Sequence, residues 1–361
     1  MLTRISDLHI AREELLPAPR ELQRELPVRE AEAAHIAGAR AAVHAILRGD
    51  DERLLVIVGP CSIHEYESAI EYARRLRDFS PGVADALCLV MRVYFEKPRT
   101  RMGWKGLIYD PDLDGRGNIG EGLRLARRIL LECARLGVPA ASEILDLVTP
   151  QYYAELLAWG AIGARTVESP LHRQMASALS APVGFKNATD GSVQTAVDAI
   201  LVAAQPHTFP SISFDGRAMI VASTGNPHGH LILRGAEQGP NYDAMSVARA
   251  AAALAKAGLP PRLIIDCSHG NSGKDYRKQP IVAAAVADQI AGGARAVCGV
   301  MLESHLVEGN QAIGSEPKLL RYGQSVTDAC IGWDETTAVL ASLAEAVRLG
   351  RKQGLATPQP G

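Results

Sequence analysis

Four residues of this chain have the chemistry of metal ligands: Cys61 in "LLVIVGPCSIH", His269 in "DCSHGN", Glu303 in "MLESH" and Asp328 in "SVTDACIGW". A thiolate, an imidazole and two carboxylates suit a divalent transition metal (Mn, Fe, Co or Zn) better than Mg or Ca. No spacing motif joins them. Singly, each is more often a hydrogen bonder at a strand end than a ligand. Cys61, His269 and Glu303 stand at the ends of short apolar runs, and Asp328 lies in the segment after the last run. The four together favour a metal.

A second set is cationic. Arg92 ends "LCLVMR", Lys97 and Arg99 stand in "FEKPRT", Arg165 in "IGARTVE", Lys186 in "PVGFKN" and Arg234 in "HLILRG". Lysine and arginine are usually solvated surface charges, but these end runs where side chains converge. Cations aimed at one mouth repel each other unless anions fill it. They imply a ligand carrying phosphate and carboxylate, which arginine grips bidentately. Two phosphorylated substrates account for so many.

The elements that must position both sets alternate along the chain. Strand candidates are 54–58, 87–93, 139–144, 162–168, 182–186, 208–212, 262–268 and 295–302, with amphipathic helical stretches between most of them. Eight β–α repeats predict a (β/α)8 TIM barrel, whose active site lies at the C-terminal ends of the strands. Residues 51–361 form the expected catalytic barrel. Residues 1–50 are an N-terminal extension: an arm, then a helix over Glu30–Leu47 ended by Gly49. Leu2, Ile5, Leu8 and Ile10 make the arm too apolar for a solvated tail, so it is expected to pack on another surface, such as a second subunit. "SISFDGRAMIVAS" (211–223) places Asp215-Gly216 between two β-like runs, a hairpin signal. A hairpin is foreign to a β–α repeat and reads as an inserted regulatory module, at about 211–224, beside strand six.

Composition excludes other classes. The chain has 361 residues, is 47% hydrophobic and carries a net charge of −2, which leaves no global field for nucleic acid or anionic lipid. No run is long enough for a membrane span, the N-terminus lacks the apolar core of a signal peptide, and the scattered cysteines form no C-x-x-C pair. A cytoplasmic location is expected, with no nucleic acid or membrane partner.

The segments "GPCSIH", "MRVYFEKPRT", "GWKGL", "WGAIGART", "GFKN", "ILRG", "DCSHGN", "ESHLVEGNQ" and "SVTDACIGW" resemble, in order and over nearly the whole chain, the type I, feedback-regulated, microbial 3-deoxy-D-arabino-heptulosonate 7-phosphate (DAHP) synthases. The resemblance implies a metal-dependent barrel, homodimeric or homotetrameric, that joins phosphoenolpyruvate to erythrose 4-phosphate and opens the shikimate pathway to the aromatic amino acids. Cys61, His269, Glu303 and Asp328 become the implied ligands. Arg92, Arg165, Lys186 and Arg234 would hold phosphoenolpyruvate, and Lys97, Arg99 and Thr100 would face erythrose 4-phosphate. Lys97, reaching between the substrates, joins Cys61 and His269 at the reacting centre. An effector pocket for an aromatic amino acid is implied at Pro150, Leu179, Ser180, Phe209, Ser211 and Val221, with Asp7 from a neighbouring subunit. Serine at 211 accompanies phenylalanine in the family, glycine tyrosine. One departure is Ala188, where the family pattern leads one to expect glycine. Cys330, two residues from Asp328, is expected near Cys61. A 3-deoxy-octulosonate 8-phosphate synthase fits less well, given the arm, the hairpin and "KPRT". A non-catalytic metabolite sensor would have lost a ligand or a clamp, and none is missing.

Overall fold

A computed structural model describes residues 5–99, 101–314 and 316–356. Its centre is a closed barrel of parallel strands: β1 (Leu54–Gly59), β2 (Leu87–Arg92), β3 (Ala140–Glu143), β4 (Trp159–Ile162), β5 (Val183–Lys186), β8 (Gly229–Leu233), β9 (Leu263–Asp266) and β10 (Val297–Glu303). β10 closes on β1, with Gly59 opposite Glu303. The interval between β5 and β8 holds an antiparallel hairpin, β6 (Thr208–Ile212) and β7 (Ala218–Ala222), which among the described residues forms a separate two-stranded sheet. The order is thus the expected (β/α)8 barrel, with helices α3 (Tyr66–Phe79), α4 (Ile119–Arg135), α6 (Pro170–Ala178), α7 (Val193–Ala203), α8 (Ala244–Lys256), α9 (Gln279–Ala291) and α10 (Trp333–Ala356) outside. A short α5 (Pro150–Tyr153) follows β3.

Two expectations about strands are corrected. "TFPSI" is not the sixth barrel strand but the first arm of the hairpin, with side chains alternately exposed and half-buried. The sixth barrel strand is "GHLIL", whose side chains beyond Gly229 are buried, as a strand covered on both faces requires. The fourth strand ends at Ile162. The residues after it form a turn in which the Thr166 and Val167 amides donate to the Gly163 carbonyl at 3.1 and 2.9 Å. Glu168 is exposed there.

The barrel interior is filled by alternate residues, among them Leu55, Ile57, Val90, Ala141, Trp159, Ile232, Ile264 and Met301. Trp159 keeps its indole N–H satisfied by donating to His230 Nε2 at 2.9 Å. Helix α2 (Glu30–Arg48), preceded by a short α1 (Pro19–Glu25), plugs the N-terminal end with Val43, Ile46 and Leu47. It stops at Gly49, in a left-handed conformation with φ 88°, which glycine adopts without a Cβ penalty.

The hairpin tip docks on α1. Arg20 pairs with Asp215 at 2.5 Å and its amide donates to the Phe214 carbonyl at 2.8 Å. In the arm before α1, Ile5 is 88% and Leu15 97% exposed, while nearer α1 the Pro17 carbonyl accepts the Tyr152 hydroxyl at 2.8 Å. No helix among the described residues is long and apolar enough to cross a membrane.

Candidate active site and effector cavity

The ends of β1 and β10, with the segment before α10, bring three of the expected ligands together. One ligand atom each from Cys61, Glu303 and Asp328 lies within 4.8 Å of the others. Cys61 reaches this point because Gly59, at φ 156°, lets the chain turn against β2; a Cβ there would lie 2.6 Å from the Arg92 carbonyl. Burial, then the Glu303 carboxylate, pushes the Cys61 thiol up against the pull of Lys97. A thiolate there is therefore stable only beside strong positive charge. His269 stands at the edge of this group, its Nε2 3.7 Å from Glu303 Oε1. Its Nδ1 is occupied, 2.9 Å from Asp266 Oδ2 and 2.7 Å from Ser268 Oγ. A carboxylate behind an imidazole fixes tautomer and aim in metal sites. His269 also holds a left-handed φ of 55°, backbone strain of the kind that gathers at functional sites.

Backbone contacts hold the donors. Gln279 carries out both halves of a strand partner's role for Glu303, donating to its carbonyl at 2.9 Å and accepting from its amide at 2.8 Å. Ser62 and Thr327, beside Cys61 and Asp328, share a buried hydroxyl hydrogen bond at 2.6 Å. Cys61 donates its amide to Cys330 Sγ at 3.4 Å, so the two thiols are neighbours as expected.

The cations divide into two kinds. Arg92 is 1% exposed and lies under the mouth, donating to Glu303 at 2.9 Å and to the Pro60 carbonyl at 3.0 Å. Lys186 pairs with buried Asp266 at 2.9 Å. Burial alone would raise the Asp266 carboxyl, but Lys186 and His269 hold it well below the usual range. These two cations are thus already matched within the protein, which corrects the expectation that all of them await external anions. Lys97 donates to Cys61 Sγ at 3.1 Å. Arg99, Arg165 and Arg234 have no carboxylate partner among the described residues. They line, with Lys97, Lys186, His269 and Asp328, one cavity of about 210 Å³. Thr100 lies outside the described residues.

Sequence reasoning missed Lys274, a further cation of the same lining. Its φ of 63° follows the Gly273 turn. It also missed the backbone at Gly163 and Ala164, which lines the cavity beside Arg165. A Cβ on Gly163 would strike Glu143 Oε1. The Ala188 methyl is buried without strain: its φ is not positive and its amide donates to the Ser192 carbonyl at 3.1 Å.

A second, apolar cavity of about 210 Å³ lies between the segment after β3, helix α6 and the hairpin. Pro150, Leu179, Phe209, Ser211 and Val221 line it, with Gln151, whose amide donates to Ser211 Oγ at 3.4 Å. Ser180 is exposed beside Leu179 and does not line it. Asp7 is on the exposed arm, at φ 56°, and does not line it either.

Fold and site define a (β/α)8 barrel whose mouth combines a soft-and-hard metal donor set with a cationic cavity, the class of enzyme that handles phosphorylated substrates. Residues 25–341 match the DAHP synthetase I family. The chain is 55% identical over 339 residues to the Phe-sensitive phospho-2-dehydro-3-deoxyheptonate aldolase of Escherichia coli, covering 94% of this chain and 96% of that protein. It is 50% identical to the Tyr-sensitive enzyme of Salmonella typhimurium over 94% of this chain and 95% of that one. It is 53% identical to the Trp-sensitive enzyme of Enterobacter agglomerans, over 96% and 99%. The solved phospho-2-dehydro-3-deoxyheptonate aldolase of Francisella tularensis superposes with a TM-score of 0.92 at 49% identity, over 95% of this chain and 99% of that one. The chain belongs to the DAHP synthetase I family.

Proposed function

We propose that this chain condenses phosphoenolpyruvate with D-erythrose 4-phosphate and water, giving DAHP and phosphate, the first step of the shikimate pathway. The observation that carries this reading is the single mouth in which the Cys61–Glu303–Asp328 donors adjoin a cavity lined by Arg99, Arg165, Arg234 and Lys274. Those donors, with His269 turned toward them by Asp266, fit one divalent ion of the Mn, Fe, Co or Zn kind. Such an ion supplies Lewis acidity toward an aldehyde oxygen.

The chain's own residues do the rest. Arg165, Lys186 and Arg234 hold the carboxylate and phosphate of phosphoenolpyruvate, with Arg92 beneath them. Holding both ends fixes C3 for attack on the aldehyde. As C3 attacks, C2 takes on positive character, which the remaining negative groups of the clamped substrate offset. Water adds at C2, and phosphate leaves with its bridging oxygen. Arg99 and the neighbouring Thr100 receive the phosphate of the sugar. Lys97, at the boundary of the two subsites, delivers a proton to the forming hydroxyl. The protein acts in the cytoplasm as a homodimer or homotetramer in which the apolar arm before α1 covers a neighbouring subunit.

Phosphate release from phosphoenolpyruvate tests this. Activity is expected with erythrose 4-phosphate, not with a five-carbon sugar phosphate. It is expected to fall below detection with a chelator and to return with Mn, Co or Fe. Full activity in chelator overturns the metal assignment. Activity restricted to the five-carbon sugar overturns the substrate.

The apolar cavity takes an aromatic amino acid as feedback inhibitor, phenylalanine before tyrosine. Ser211 stands where the hydroxyl of tyrosine would need room. Ser211→Gly is expected to move the ratio of tyrosine to phenylalanine inhibition constants by about tenfold toward tyrosine, the scale on which one small group discriminates in an apolar pocket. Inhibition curves measure it, and an unchanged ratio overturns the steric reading.

A further inference from the structure

Glu96 is a buried carboxyl that the chemistry above does not use. It is fully buried, one peptide bond from Lys97, in the segment that leaves β2 for the active-site mouth. Most of the groups that hold it come from the chain beside the apolar cavity, and the Tyr109 hydroxyl adds a further hydrogen bond. The Thr149 hydroxyl donates to both carboxyl oxygens at 3.3 Å, and the Tyr153 hydroxyl donates to Oε2 at 3.1 Å. The Leu145 amide also bonds to it. The Phe95 and Tyr153 rings meet edge to face at 6.1 Å. On the other side of the same short segment, Leu147, Pro150 and Gln151 line the cavity.

The segment has few other ways to move. Asp146 accepts the Val148 and Thr149 amides at 2.6 and 3.1 Å and the Tyr109 hydroxyl at 3.0 Å. His172 Nε2 lies 2.7 Å from the Leu145 carbonyl. Residues 145–153 are thus a tight, hydrogen-bonded unit, one face of it cavity wall and the other bound to Glu96. On the active-site side, the Lys97 amide donates to the Lys105 carbonyl at 2.9 Å and its ammonium reaches Cys61 Sγ. A displacement of the wall has a short physical path to Lys97, and Glu96, one peptide bond from Lys97, lies on it.

We propose that Glu96 couples the aromatic effector to catalysis: its hydrogen bonds to Thr149 and Tyr153 transmit the filling of the apolar cavity to Lys97. It is a positioning residue, touching neither substrate nor effector. The inference rests on the reading of the apolar cavity as the effector site. Burial, and next to it the Asp146 carboxylate, pushes the Glu96 carboxyl up to about 7. The strength of its hydrogen bonds is therefore responsive to small changes around it. Allosteric coupling is a free energy between two sites, separable from affinity at either one. Loss of the link should therefore leave binding intact and abolish its consequence.

The experiment compares the metal-loaded parent with Tyr153→Phe, which removes one hydroxyl, and with Glu96→Gln. L-Phenylalanine affinity is measured by calorimetry, and residual activity at saturating L-phenylalanine by phosphate release. Both variants are expected to bind phenylalanine within about threefold of the parent, while residual activity rises about fivefold, a coupling loss of the usual size. Tyr153→Phe is expected to keep the parent's uninhibited kcat and KM. If both variants bind phenylalanine and remain as strongly inhibited as the parent, Glu96 is not the link. If inhibition and binding weaken in parallel, the residues merely shape the pocket and the proposal is also overturned. A parent that binds no aromatic amino acid overturns the effector reading itself, and this inference with it.

Discussion

Replacing Glu303 by alanine is expected to abolish metal binding and to lower folding stability by about 3–5 kcal/mol, the cost of stripping one partner from a buried ion pair. Glu303 is 3% exposed and faces the Arg92 guanidinium, itself 1% exposed, at 2.9 Å. Without the carboxylate, Arg92 keeps its carbonyl contacts but loses its countercharge. The backbone is not the weak point, since Gln279 and the Ile331 amide still hold residue 303 in place. Glu303→Gln separates the two effects. The amide oxygen still accepts from Arg92, so stability falls by less, about 1–3 kcal/mol. Metal binding, which needs the charge, is lost in both variants. Urea denaturation of the apo proteins gives the first quantity and chelator competition the second. Activity should drop by more than the about 10–100-fold that loss of an outer partner costs. A Glu303→Ala protein that still binds metal with the parent's affinity would remove Glu303 from the donor set.

Arg92, Lys186 and Glu303 were legible because each ends a run that only a buried strand explains. Arg92 and Glu303 close fully buried strands, and a barrel sends such strand ends to one place. What a linear reading lacks is pairing. Arg92 meets Glu303 across 211 positions and Lys186 meets Asp266 across 80. Closure of the barrel makes both pairs, and no local pattern foretells which cations it neutralises. Gln279 was passed over for the same reason: it reads as an ordinary first residue of a helix. Its role as a strand partner for Glu303 exists only because β9 stops at Asp266.

The barrel class was legible while one of its strands was not. "TFPSI" has the aromatic and β-branched residues of a strand, and it is one, but in a hairpin whose outer face is exposed. "GHLIL" begins with a glycine and a histidine, which mask a run buried on both sides. The histidine is there to accept the Trp159 indole inside the barrel. The fourth strand, "WGAI", was hidden by its two small residues, Gly160 and Ala161, while the room for that same large ring is made by Gly184 on β5, where a Cβ would lie 2.6 Å from it. In both cases interior packing overrode the local β signal. Glu96 shows the opposite failure. Nothing in "FEKPRT" singles it out, and only the fold of residues 145–153 against it makes it a buried acid.

That burial has a measurable consequence for folding. In the unfolded chain the Glu96 carboxyl titrates near the ordinary glutamate value of about 4.3. In the folded protein it is pushed up to about 7, first by burial and then by Asp146. Between those two pH values the folded state keeps a proton that the unfolded state has released. Stability from this group is therefore complete below about pH 4 and declines as pH rises through 7, by on the order of 3 kcal/mol in all. Glu96→Gln has no proton to lose, and its amide keeps an acceptor for Tyr153 and Thr149. The variant and the parent should be of similar stability near pH 4.5. Above pH 7.5 the variant should be the more stable, by up to the same order, with the difference opening between these limits. Urea unfolding of apo parent and variant across pH 4.5–8 measures it. A difference that stays flat with pH would show that Glu96 ionises normally in the folded protein. A difference of opposite sign would show that the hydroxyls of Thr149 and Tyr153 stabilise the charged form more than burial opposes it.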